Sequence, residues 1–400
     1  MKKWIPLILA VTVLVFGTAP AQEKEKMDMA SVFSRFPVKF YGFVKLDMSW
    51  DDSRTNPGNF VKWVDRESPW DAEDDSQQNI TANATRFGFD IGGPESDKIK
   101  TGGKFELDFY CGGGLAENKP SPRMRHAYLW AEWVDEELML LAGQSWDLVG
   151  YKNFAKTLNF LGGWFTGNIG FRHPQLRVQK TWQMGEERTL VGAVALSRTI
   201  GDLSDDPPFH PRDTGEDSDI PTVQARLALH MPLLAGKAMF ALSGHFGTEE
   251  YDTNAMDESE DYDSWSVCLD FNLPLHKNLK VNGCAFTGEN LDDMFAGIGQ
   301  GVNTTTMKEI ASQGGFLNLC LVDLVPDWQF NAGFCVDDPK NDDLNKFDRH
   351  KNMNVYGNAK YWITKDLMAA LEVSYWQTQY IGVEDESDAL RVHFVMQYSF

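Results

Sequence analysis

The last eleven residues constrain the chain more than any other stretch. Leu390, Val392, Phe394, Met396, Tyr398 and Phe400 fall on one face of an extended segment, and Arg391, His393, Gln397 and Ser399 on the other. A period of two is the signature of a strand with one apolar and one polar side. The same alternation runs through Phe105, Leu107 and Phe109, through Val223, Ala225, Leu227 and Leu229, and through Trp265, Val267, Leu269 and Phe271. No comparable stretch keeps helical spacing, so the chain is all-β.

The connections select the architecture. Sixteen strands are expected, the first near 38–50 and the last near 388–400. Short gaps such as Asp135-Glu136, Gly185-Glu186 and Thr364-Lys365 alternate with long ones at 51–82, 147–172, 200–219, 250–263, 289–311, 337–350 and 381–388. A soluble sandwich has no reason to gather its long connections at one end. A closed antiparallel transmembrane β-barrel of about 16 strands does, with short periplasmic turns and long extracellular loops. In lipid the sheet must close, because a free edge leaves backbone groups unpaired. Mean hydropathy is −0.36 and only the first two dozen residues hold a long apolar run, which excludes a bundle of membrane helices. Aromatic residues near strand ends, among them Trp50, Tyr110, Trp130, Trp133, Trp146, Trp328, Trp362 and Trp376, suit girdles at the membrane interfaces.

Residues 1–21 read as a signal peptide: Lys2 and Lys3, an apolar stretch from Ile5 to Phe16, then Ala19-Pro20-Ala21. Residues 22–37 are expected to be a short periplasmic segment and residues 38–400 the barrel, placed in an outer membrane of Gram-negative type. The net charge of −21 makes nucleic acid a poor partner. Six acidic connections account for it, holding 35 Asp and Glu against 8 Lys and Arg. Asp71–Asp75 and Asp257–Asp261 could hold a divalent cation but lack the spacing of a calcium loop. Solvated loops are the simpler reading, and neither a metal nor a cofactor is expected.

On the polar face of the alternation lie Lys45, Arg86, Lys104, Arg177, Arg226, Lys360 and Arg391, opposed by Asp47, Asp90, Glu106, Asp108, Glu132, Asp270 and Glu372. Ionisable groups inside a barrel need water or partners. Either an aqueous pore or a plug of salt bridges would supply them, and sixteen strands enclose more space than side chains fill. The 147–172 connection stands apart. It carries Lys152, Lys156 and Arg172 against Asp147, together with Phe154, Leu158, Phe160, Leu161, Trp164 and Phe165. A loop of that composition is expected to fold into the lumen and narrow it; packing at a subunit contact or over the mouth is the alternative.

Five cysteines show no metal-binding spacing. Cys268 and Cys284, and likewise Cys320 and Cys335, are expected to face each other across hairpins, as disulfides or as free thiols on a polar wall. Cys111 has no partner. Catalytic motifs are missing, and His126, His230 and His393 read as lumen or interface residues, so an enzyme is not expected.

Several segments together resemble the DcaP-like porins: Phe40–Asp47 (F-Y-G-F-V-K-L-D), Ala84–Phe89, Arg123–Leu129, Leu141–Asp147 and Gly170–Arg177. The resemblance implies a sixteen-stranded homotrimeric barrel that passes small organic anions, notably dicarboxylates, along a basic ladder. Arg86, Arg125, Arg172 and Arg177 occupy the corresponding positions. The expected function is passive diffusion of small hydrophilic solutes, with Arg86, Arg125, Lys152, Lys156, Arg172 and Arg177 forming a positive constriction and Lys45, Lys104, Arg226 and Arg391 extending it. The alternatives are a cation-preferring pore set by Asp47, Asp90 and Asp108, or a closed structural or adhesive barrel.

Overall fold

A computed structural model of the chain describes residues 36–66, 76–111, 120–198, 218, 220–252, 259–303 and 305–400. The leader, most of the 200–219 connection, Asp71–Asp75 and Asp257-Glu258 lie outside the described residues. Among those described, sixteen antiparallel strands form one closed sheet: β1 (Val38–Asp51), β2 in two pieces (Gln77–Thr81 and Arg86–Gly92), β3 (Ile99–Cys111), β4 (Ser121–Trp133), β5 (Leu138–Trp146), β6 (Arg172–Gln183), β7 (Thr189–Ser197), β8 (Thr222–Leu233), β9 (Gly236–Asp252), β10 (Ser259–His276), β11 (Leu279–Glu289), β12 (Ala311–Val322), β13 (Trp328–Pro339), β14 (Arg349–Trp362), β15 (Leu367–Tyr380) and β16 (Ser387–Ser399). Each strand pairs with its sequence neighbours. Closure comes from β1 against β16, with Phe43 opposite Ser399 and Asp51 opposite Arg391. Gly42 N donates to Phe400 O at 3.1 Å and Phe400 N to Gly42 O at 3.0 Å.

The two faces of the sheet are inverted relative to a soluble protein. On β10, Val267 and Leu269 are exposed while Ser266, Cys268 and Asp270 are buried; on β15, Leu371 and Val373 are exposed while Glu372 and Ser374 are buried. An apolar outer wall suits hydrocarbon, and buried polar groups are stable inside only when hydrogen-bonded.

The 147–171 connection does not stay outside the wall. Val149, Ala155 and Ile169 join one apolar cluster with Cys268, Cys284, Phe286, Phe316, Cys335 and Tyr356, which point inward from β10 to β14. At Gly167 (φ +128°) the connection lies on bare backbone; a Cβ there would sit 2.2 Å from Gly315 O of β12, so only glycine fits.

Leu291, Met294 and Ala296 of the 290–310 connection complete the same cluster. The acidic solvated loop expected there is instead folded against the first connection: Phe295 stacks on Phe171 at 3.9 Å and on Phe165 at 4.9 Å. Leu291 and Met294 are fully buried there, and each such burial contributes about 1.5–3 kcal/mol, enough to draw the connection inward although it takes Asp293 in with it.

The cysteines also depart from expectation. Cys268 is opposite Phe286 and Cys284 opposite Asp270, because β10 runs on through Pro274 to His276 before turning. Cys335 is opposite Phe316 and Cys320 opposite Asn331. Among the described residues these four are free thiols. Cys268, Cys284 and Cys335 sit in the apolar cluster and not on a polar wall.

Candidate pore constriction

Filling one side of the lumen leaves a cavity of about 300 Å³ on the other, between residues 154–164 and the inner faces of β1, β2, β4 and β14–β16. Four cations line it: Lys45 of β1, Arg86 of β2, Arg125 of β4 and Lys360 of β14. The rest of its lining is aromatic, aliphatic or uncharged polar, including Phe43, Trp146, Phe154 and Phe160. No carboxylate is among these lining residues. The break between the two pieces of β2 lies beside Lys45. There Thr85 Oγ1 accepts Lys45 N at 3.1 Å in place of a ladder bond, an irregularity of the kind that re-aims side chains at functional sites.

Carboxylates stand behind the cations. Lys45 Nζ pairs with Asp47 at 2.8 Å. Arg125 reaches Glu106 at 2.7 Å and Asp108 at 2.9 Å, and Arg123 also holds Asp108, at 2.9 Å. Arg86 Nε lies 3.6 Å from Glu106. Arg86, Arg123 and Arg125 thus share two carboxylates, and Arg172 lies close enough to feel one of them, Asp108.

Arg172 is the outlier. It is 1% exposed, and none of its three guanidinium nitrogens has a hydrogen-bond partner among the described residues. It packs 4.5 Å from the ring centre of Trp146, 4.2 Å from Phe171 and 5.6 Å from Trp164. Arg125 lies 5.7 Å from the same Trp146 ring. Stacking of this kind recovers part of the cost of a buried cation.

The connection is clamped to the wall by polar groups from β11 to β15. Glu372 accepts Thr157 Oγ1 and Leu158 N at 2.6 Å each and Asn358 Nδ2 at 2.8 Å. Asn153 Nδ2 donates to Gly283 O at 2.9 Å and its Oδ1 accepts Asn282 Nδ2 at 2.8 Å. Lys156 N donates to Tyr356 Oη at 2.9 Å. At the base, Asp147 accepts Phe171 N at 2.7 Å, Gln224 Nε2 at 3.0 Å and the His173 ring at 2.9 Å. Burial pushes the Asp147 carboxyl up, but His173 and the Gln224 and Phe171 donors outweigh it and hold it below the usual carboxylate range.

The remaining expected residues lie elsewhere. Lys104 pairs with Asp90 at 2.6 Å and donates to Tyr41 Oη at 2.7 Å. Lys152 is exposed at a left-handed position (φ 55°), and the ammonium of Lys156 does not line the cavity. Arg177 is held by Gln175 Oε1 and Trp146 O. Arg226 forms two bonds to Asp270, at 2.6 and 2.8 Å, and Arg391 is buried beside Asp51 and donates to Gly58 O at 2.9 Å. Lys360 was on the polar face in sequence but not in the expected constriction; nothing in one sequence says at which height the connection crosses the lumen. Among the described residues no three His, Cys, Asp or Glu side chains gather to hold a metal.

No protein-family model matches the chain, and no curated protein matches it. Solved structures do. The outer membrane channel DcaP of Acinetobacter baumannii superposes with a TM-score of 0.71 at 18% identity, covering 91% of this chain and 97% of that one. The anion-selective porin from Comamonas acidovorans gives 0.58 at 10% identity, over 91% and 100%. OmpF of Salmonella typhi, solved in complex with daunomycin, gives 0.56 at 11%, over 91% and 97%. At these identities the likeness is one of architecture: the chain has the barrel fold of the DcaP channel, as its sequence segments suggested.

Proposed function

We propose that the protein is an outer-membrane porin that lets small organic anions, dicarboxylates foremost, diffuse passively, and that it works as a homotrimer. The porin reading rests on the inverted barrel with its apolar outer wall and on the fold it shares with outer-membrane channels. The anion preference rests on one observation: the cavity beside the inward connection is lined by Lys45, Arg86, Arg125 and Lys360, with their carboxylates set back in the wall. A pore's selectivity follows the groups at its narrowest point, whatever the net charge of its outer loops. Guanidinium groups match carboxylates in shape, while ammonium groups act as point charges, and weak binding at several such sites still permits release.

Planar-bilayer recording of the purified protein under a salt gradient tests this. Anion-selective reversal potentials in steps grouped by three are expected, and Arg86→Gln combined with Lys360→Gln should move the reversal potential toward cations. An unchanged potential would remove these residues from the pore. Cation selectivity in the parent would transfer control to aspartates such as Asp47, and silence would mean a closed barrel.

A further inference from the structure

On the outward face of β6 to β10 the apolar wall is hollowed out over about 630 Å³. Small residues form the floor: Gly192 of β7, Ala225 of β8 and Gly244 of β9, the last two opposite each other in the ladder. Leu227, Leu242 and Val267 stand around it and are exposed. A Cβ built on Gly192 would lie 2.8 Å from the Trp182 ring, so that ring lies over bare backbone at the short-turn end of the hollow. Between Val178 and Trp182, on the same outward row, Lys180 interrupts the apolar series. A charge facing lipid is costly at mid-membrane and tolerated near an interface, and Lys180 is close to the end of β6 at Gln183. Its stem lies along the wall and its ammonium reaches the interface, where it donates to Glu136 O in the turn between β4 and β5. Among the described residues no carboxylate lies within ion-pair distance of it. The carboxylates of the same turn stand beyond it: Glu136 is exposed, and Glu137 accepts Gln183 Nε2 at 3.2 Å at the foot of β6.

We propose that this hollow and Lys180 form a binding site for one phosphatidylethanolamine molecule, in the membrane leaflet that meets the short turns. An acyl chain lies along Gly192, Ala225 and Gly244, where the lack of large side chains lets it approach the backbone. The lipid phosphate pairs with Lys180, and the ethanolammonium meets Glu136 and Glu137. Bonds between such charged groups are short and strong. Trp182 sits at the level of the head group, where an indole has one apolar side and one polar edge to satisfy. Charge decides which lipid fits. One ammonium with carboxylates just beyond it complements a head group that carries both signs. Phosphatidylglycerol would bring only negative charge to those carboxylates, and phosphatidylcholine has no N–H to donate to them.

Native mass spectrometry tests the site on the purified full-length protein, stripped of lipid and given equal amounts of phosphatidylethanolamine and phosphatidylglycerol with the same chains. One phosphatidylethanolamine per chain is expected, in clear excess over phosphatidylglycerol. Lys180→Gln should weaken its retention about tenfold, the effect of losing one hydrogen bond to a charged group. Ala225→Trp should exclude it by filling the hollow. Glu136→Gln combined with Glu137→Gln should raise phosphatidylglycerol to the level of phosphatidylethanolamine, a gain that misfolding cannot produce. Heat-modifiable migration on gels confirms that each variant is folded. Equal retention of both lipids, unchanged in the variants, would mean a non-selective coat of lipid and overturn the proposal. A parent that prefers phosphatidylglycerol would also overturn it. So would loss of the oligomer in Ala225→Trp with lipid retention unchanged, which would give the hollow to a second copy of the chain. No readout here involves conductance, so this site and the porin reading stand or fall separately.

Discussion

Glu372, on the inner wall, accepts the backbone N–H of Leu158, at the tip of the inward connection, at 2.6 Å. The residues are 214 apart in sequence, and the bond fixes how far the connection reaches across the lumen. Hydrogen bonds to a charged group contribute about 1.5–3 kcal/mol each. Glu372→Ala, which also frees Thr157, should therefore undock the tip without unfolding the barrel. Larger and noisier single-channel conductance is expected, together with labelling by maleimide of Cys284, whose thiol lies 3.5 Å from Gly167 O under the connection. Parent-like conductance and protected thiols in the variant would show that the apolar cluster alone holds the connection.

Arg125 and Lys45 both face the cavity, yet their loss should have different consequences. Arg125 neutralises Glu106 and Asp108, of which Asp108 is wholly buried. Removing one partner of a buried ion pair costs about 3–5 kcal/mol, so Arg125→Ala should lower the denaturant midpoint markedly. Lys45 serves the single carboxylate Asp47, which His393 also bonds, at 2.9 Å. Lys45→Ala should reduce anion selectivity with little loss of stability. Equal midpoints for the two variants, measured by denaturant unfolding in detergent, would contradict this division.

The wall was legible in the sequence because strand parity is a local property: apolar Leu390 next to Arg391 next to Val392 fixes which side meets lipid. Pair register was less legible. Cys268 and Cys284 are two positions out of step because β10 continues through Pro274, a residue that sequence reasoning takes as a turn former. The fate of the 290–310 connection was hidden for another reason. Leu291, Met294 and Phe295 are plain in the sequence, but Phe295 is covered by Phe165 and Phe171, and Leu291 and Met294 share a cluster with Val149, Ala155 and Ile169, more than a hundred residues away. The constriction was half visible. Arg86 and Arg125 stood out as polar-face arginines, whereas Lys360 gains its place only from the height at which Thr157–Leu161 crosses the lumen.

Asp147 joins the two ends of the inward connection and should confer acid sensitivity. Its folded-state pKa is depressed, so its stabilisation is fully present above the unfolded value of about 3.9. That contribution fades as pH falls through the lower folded value. Trp146 and Trp164 lie 5.8 Å apart beside this base, so their emission should report release of the connection below about pH 4. Asp147→Asn should lose the acid transition while weakening the base at neutral pH. The same transition persisting in the variant would assign it to another carboxylate.

Arg172 occupies a ladder position by resemblance, but in the structure it lies behind Trp146 and Trp164 and does not line the cavity. An isolated buried cation without hydrogen bonds is costly, and replacing buried charge by an apolar side chain of similar volume is often neutral or stabilising by about 1–4 kcal/mol. Arg172→Met is therefore expected to keep the parent reversal potential and to match or exceed parent stability. Arg86→Gln, in the same recordings, should lower anion selectivity. A loss of anion selectivity in Arg172→Met as large as that in Arg86→Gln would instead mean that Trp146 swings aside during conduction and exposes the guanidinium to the solute.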